Sequence, residues 1–140
     1  MKGVNWAGVV AAIVLGQAIG FVWYGLIFDA QYMALSGITK EQMDAEQWRM
    51  GLGVLNMIVV FIGLGMLFAR MGVASLAEGA KWGLFVGFFF ACTAASLNYI
   101  YKLEPPMLTV MAFGYQMLSY AVGGAAIGGL KLGRTAAAAA

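Results

Sequence analysis

The chemistry open to this chain is set by polar side chains that lie inside long apolar runs. Gln17, Asn56, Asn98 and Gln116 are amides, and Thr93, Ser96, Ser119, Tyr115 and Tyr120 add hydroxyls. Such groups donate and accept hydrogen bonds without carrying charge. At helical spacing, Gln17, Gly20 and Tyr24 share one face, and Gln116, Tyr120, Gly124 and Gly128 share another. Two readings follow. The amides can bond to each other across helices and fix their register, at about a kilocalorie per mole or less each. Alternatively, Gln17, Tyr24, Asn56, Gln116 and Tyr120 are ligand-binding residues that form a neutral polar seam for an uncharged or lipophilic small molecule, because polar groups inside a membrane often mark function.

Other chemistries lack the residues they need. The chain has no histidine and one cysteine, Cys92, so the usual metal ligand and the side chain that titrates near neutrality are missing. Cys92 and Ser96 share a helical face, but no base accompanies them to activate a nucleophile. We therefore expect no catalytic residue, no metal, no cofactor and no enzymatic activity. Asp29, Glu78, Glu104, Lys81 and Lys102 all fall at or beyond the ends of the apolar runs. A proton-coupled transporter normally carries an ionisable group inside the membrane, and here the first run offers only Gln17. Glu78 and Lys81, three residues apart, read as a surface ion pair.

The elements that position these groups follow from composition. Of 140 residues, 63% are hydrophobic and 10% charged, with a mean hydropathy of +0.86. A soluble domain carries about 25% charged residues, so this one must be coated by lipid. Uncharged stretches at 4–28, 50–69, 82–101 and 107–130 each reach the roughly 20 residues that a helix needs to cross about 30 Å of hydrocarbon. They have helix length and lack the alternation of a membrane barrel. The expected fold class is all-α, an integral membrane bundle of four transmembrane helices with a short interfacial helix in the first loop. Residues 1–134 form one domain, and 135–140, which ends in alanines, is read as an appended low-complexity tail. The first run is longer than the roughly 7 to 15 residues of a signal-peptide core and is expected to stay in the protein.

Loops and charges add orientation. Lys2, Arg70, Lys81, Lys131 and Arg134 fall on one side, against Lys40, Arg49 and Lys102 on the other. The positive-inside rule then places both termini in the cytoplasm of an inner-membrane, multi-pass protein, by a modest margin. Within 29–49, Thr39 has an N-cap position and Gln42 the capping-box position of a short surface helix, with Trp48 dipping into the interface. Pro105 and Pro106 stop the third helix and turn the chain, which makes helices three and four an antiparallel hairpin. Small net charge spread among loops excludes nucleic acid as a partner.

Small residues recur every four positions. Gly79, Gly83, Gly87, Ala91 and Ala95 form one row, answered by Gly124 and Gly128 and by the parallel row Ala121, Ala125, Gly129 and Gly133. Rows of this kind let backbones approach closely in lipid. Gly16, Gly20, Gly83, Gly87, Gly124 and Gly128 are the expected helix-packing residues, within the chain or in a homo-oligomer, the latter favoured.

The stretch Trp23-Tyr24-Gly25-Leu26-Ile27-Phe28 closes the first helix. Trp23 falls about 30 Å along it, the depth of an aromatic belt. With Asn5-Trp6, Gly20, Tyr32, Trp82-Gly83 and Gly114-Tyr115, it makes residues 4–130 resemble the bacterial membrane family called domain of unknown function 1761. Tyr32 stands where that pattern leads one to expect tryptophan. The resemblance implies four membrane helices with a longer first loop and carries no activity. By class, we expect a transport-like or lipophilic small-molecule-binding protein whose polar seam lies between helices one, two and four. The alternative is a structural or accessory membrane subunit that docks through its glycine stripes and outer loop.

Overall fold

Asn5 opens the first helix. Its side-chain oxygen accepts the amide N–H of Gly8 at 3.1 Å, satisfying a donor that a helix start leaves without an intrahelical partner. In the computed structural model, which describes residues 3–130, α1 (Trp6–Val22) passes directly into a π-helical segment, Trp23–Ile27. There the amide of Phe28 reaches back five residues to the carbonyl of Trp23 at 2.9 Å. The first loop contains two short helices, where one was expected. α2 (Asp29–Ser36) begins with an acidic residue in its first turn, which suits the helix dipole. It stops at Gly37, whose φ of 69° ends it in a left-handed cap. α3 (Lys40–Ala45) starts with the reciprocal capping box of Thr39 and Gln42.

α4 (Trp48–Met71) is the second span. The third is α5 (Leu76–Val86), a second π-helical segment at Gly87–Cys92, and α6 (Thr93–Lys102). Thr93 Oγ1 donates back to the carbonyls of Phe89 at 2.7 Å and Phe90 at 3.1 Å, bonding to groups in the widened turn. After an exposed turn at Leu103, α7 (Pro106–Gly129) begins with proline in the first turn, where its missing N–H costs nothing. Trp6–Ile27, Trp48–Met71, Leu76–Lys102 and Pro106–Gly129 are each long and apolar enough to cross a membrane.

The third span begins earlier than its uncharged stretch. Ser75 caps it by accepting the Glu78 amide at 3.2 Å, and the Glu78 carboxylate accepts the Ala74 amide at 3.4 Å. Glu78 is thus engaged at the helix start and not in an ion pair with Lys81. Among the described residues the ion pair is Arg49–Glu46, at 2.9 Å. The alanine tail, Gly133 and the cations Lys2, Lys131 and Arg134 lie outside the described residues.

α7 is the axis of the bundle, packed against α1, the third span and α4. The closest approach is between α5 and α7. A Cβ on Gly79 would run into the carbonyl oxygen of Gly124, one on Gly83 into that of Tyr120, and one on Gly128 into that of Ser75. The glycine rows are therefore used within the chain, to bring two backbones together. Other notches hold side chains. Phe61 of α4, fully buried, fills a gap left by Gly123 on α7 and Gly16 on α1, and Val9 fills the one at Gly65. Around Phe61 lie Val9, Ala12, Leu64, Phe68, Ala126 and Ile127. Val10, Val14, Phe21, Phe90 and Val110 point outward, as a lipid-facing surface requires.

The two ends of the described chain meet. Asn5 Nδ2 donates to the carbonyl of Ile127 at 2.8 Å and to that of Leu130. One side chain thus caps the start of α1 and satisfies carbonyls at the end of α7.

Candidate functional site

α4 packs on α1 and α7 but not along the third span. The wedge between them is a cavity of about 390 Å³. Asn56, Val60 and Phe61 of α4, Ala91, Ala94, Ala95 and Asn98 of the third span, and Tyr115, Gln116, Ser119 and Tyr120 of α7 are among its lining residues. The alanines are what keep it open, since larger side chains on that face would fill it. Its lining carries amides, hydroxyls and aromatic rings and no charged group.

Hydrogen-bonding capacity in this chamber is unspent. Among the described residues, no side-chain hydrogen bond engages Asn56, Asn98 or Gln116, so these amides do not tie the helices to one another. Ser119 is 2% exposed, and its Oγ has no hydrogen-bond partner. Buried polar groups normally find partners, because leaving one unpaired costs about 1–3 kcal/mol. Asn56 is exposed at the outer lip, on the side where α4 and the third span stand apart.

A second chamber of about 330 Å³ lies nearer the loops. Tyr24, Tyr32, Leu35, Ser36, Ile38, Glu104, Pro105 and Leu108 line it, together with Asn98 and Ala112. Asn98 and Ala112 also line the deeper chamber, so the two share a wall. Tyr24 packs at 5.3 Å between ring centroids against Tyr32 and at 5.4 Å against Tyr115.

Of the residues expected to bind a ligand, Asn56, Gln116 and Tyr120 come together in the deep chamber. Gln17 lines neither chamber, and Tyr24 lines the outer one. The seam lies between the second, third and fourth spans, not the first, second and fourth. The reason is that α1 is engaged elsewhere: Gly16 receives Phe61 and Gly20 abuts Tyr115. Asn98, Tyr115 and Ser119 line the deep chamber although the expected site omitted them. All three are polar residues inside apolar runs, which was the available signal. Gly83, Gly87, Gly124 and Gly128 all lie where the third span meets α7, and a Cβ on Gly87, the first residue of the second π-helical segment, would meet the Tyr120 side chain.

Trp23, expected from its depth as an interfacial anchor, also makes contacts within the bundle. Its indole lies against Gly114, and its N–H donates to the Met111 carbonyl at 3.1 Å. Cys92 is buried toward α7, its sulfur 3.9 Å from the Phe113 carbonyl.

The family model described as "Protein of unknown function (DUF1761)" matches residues 7–128. The chain belongs to this family. The match runs from the second residue of α1 to the last but one of α7 and so takes in every residue that lines the two chambers of this DUF1761 protein. No curated protein and no solved structure matches the chain. Both π-helical segments border the chambers, through Tyr24 and Ala91. Such segments often occur at functional sites because the widened turn re-aims side chains.

Proposed function

We propose that this DUF1761 protein binds a lipophilic small molecule with an uncharged polar group in the deep chamber, as a carrier or permeation protein and not as an enzyme. The observation that supports this most is the conjunction of a cavity beside α4 with free amides at Asn56, Asn98 and Gln116 and the unpaired, buried Ser119 hydroxyl. A ligand entering sideways from the bilayer would keep its apolar part against Phe61, Val60 and the alanines. Its polar group would meet donors and acceptors that have no other partner. The glycine rows that favoured a docking subunit or a homo-oligomer are occupied between α5 and α7, so an assembly of copies would use another face. The charge bias reads as inner-membrane residence with residues 29–49 and 103–106 outside the cytoplasm.

The test uses protein in phosphatidylglycerol nanodiscs and Nile red, a neutral lipophilic dye whose emission reports burial. Ala95→Phe, which fills the chamber, and Gln116→Leu are expected to weaken binding at least tenfold while helical content stays unchanged. Binding unaltered by both substitutions would reject the proposal.

A further inference from the structure

The outer chamber has a chemistry of its own. Its lining includes two tyrosines in edge contact, with ring planes at 68°. Glu104 lines the same chamber, and among the described residues it forms no ion pair. Both Lys102, two positions away in sequence, and Lys40 are exposed, and neither lines the chamber. Aromatic rings at an angle offer negative π-faces to a cation, and recognition of quaternary ammonium groups by such corners relies on that attraction. A half-buried carboxylate beside them adds a full opposite charge in a setting less screened than open water. Of the remaining lining residues, Leu35, Ile38, Pro105, Leu108 and Ala112 are apolar and suit the methyl groups of such a cation, while Ser36 and Asn98 can meet a hydroxyl on it.

We propose that the outer chamber is a binding site for a small organic cation of the alkylammonium class, held between Tyr24, Tyr32 and Glu104. The site lies at the loop end of the bundle, where α1 gives way to α2 and the turn at Leu103 leads into α7. That is where the charged head of an amphiphile would sit while its uncharged part reaches past Asn98 toward the deep chamber. The inference stands on its own residues and survives if the deep chamber proves to hold nothing.

Choline and its carbon isostere 3,3-dimethylbutan-1-ol separate charge from shape, since the two differ in one central atom. Binding to the full chain in phosphatidylglycerol nanodiscs is followed by calorimetry, with empty nanodiscs subtracted. Choline is expected to bind at least tenfold more tightly than the alcohol. Glu104→Gln is expected to remove most of that preference, and Tyr24→Leu and Tyr32→Leu each to weaken choline at least fivefold. Ala95→Phe leaves choline binding in place, which distinguishes this site from the deep chamber. Equal affinity for choline and the alcohol, no choline binding above the empty-disc background, or full affinity in Glu104→Gln would overturn the proposal. Unchanged helical content and elution volume of each variant exclude misfolding as the cause of a loss.

Discussion

The indole N–H of Trp23 donates to the backbone carbonyl of Met111 at 3.1 Å, tying the π-helical end of the first span to the first half of α7. The same ring lies against Gly114, where any added Cβ would collide with it. Trp23→Phe retains most of the packing and loses the hydrogen bond, for an expected loss of about 1 kcal/mol. Gly114→Leu should destabilise the bundle more than Trp23→Phe, because it evicts the ring. Equilibrium unfolding in mixed detergent micelles measures both.

Phe61 meets Gly123 and Gly16 at the junction of α1, α4 and α7. Phe61→Ala leaves a hole that the neighbouring Met57, which shares the Gly16 notch, fills only in part, and a loss of about 3–5 kcal/mol is expected. Gly123→Ala should also be destabilising, although alanine normally favours a helix over glycine by about 1 kcal/mol. Gly63, with open space around it, provides the control. Gly63→Ala is expected to leave the unfolding midpoint unchanged or slightly raised.

Gly83→Ile separates packing within the chain from assembly between chains. A side chain there runs into the Tyr120 carbonyl, so the monomer itself should lose its fold. Trypsin sensitivity in detergent and helical content by circular dichroism report this. A well-folded Gly83→Ile protein that differs only in oligomer size would contradict the α5–α7 contact.

Asn5 performs two tasks with the two ends of its amide. Asn5→Asp keeps the cap on Gly8 but replaces the donor that serves Ile127 and Leu130 by an oxygen. It is expected to cost more than the roughly 1 kcal/mol of a lost cap alone. Asn5→Ala loses both functions. If Asp proves as stable as Asn, the tie to α7 contributes nothing.

Leu103 has a φ of 54°, the left-handed region, and is 85% exposed. That conformation costs an L-residue about 1–2 kcal/mol and glycine almost nothing. Leu103→Gly should therefore stabilise the protein by about 1 kcal/mol, net of the extra chain entropy that glycine loses on folding. The unfolding midpoint is the readout.

Composition and run length were enough to specify an all-α membrane bundle, because a backbone in lipid satisfies its polar groups only within a helix or a closed barrel. Local chemistry was equally legible where neighbours in sequence are neighbours in space. The capping box of Thr39 and Gln42 and the stop at Pro105-Pro106 depend on residues a few positions apart. The second loop helix was missed because it is only eight residues long and its end depends on one left-handed glycine, Gly37. Which helix faces formed the site was a different kind of question. Glycines at spacing four mark a close contact but do not name the partner, and Gly16 and Gly20 could have faced any span. Only the tertiary structure decided that α1 is filled by Phe61 and Tyr115, which leaves Gln17 outside the chambers, and that α4 stands away from the third span. The physical reason is that in lipid no face is driven inward by hydrophobicity alone, so the arrangement is set by shape complementarity between residues far apart in sequence.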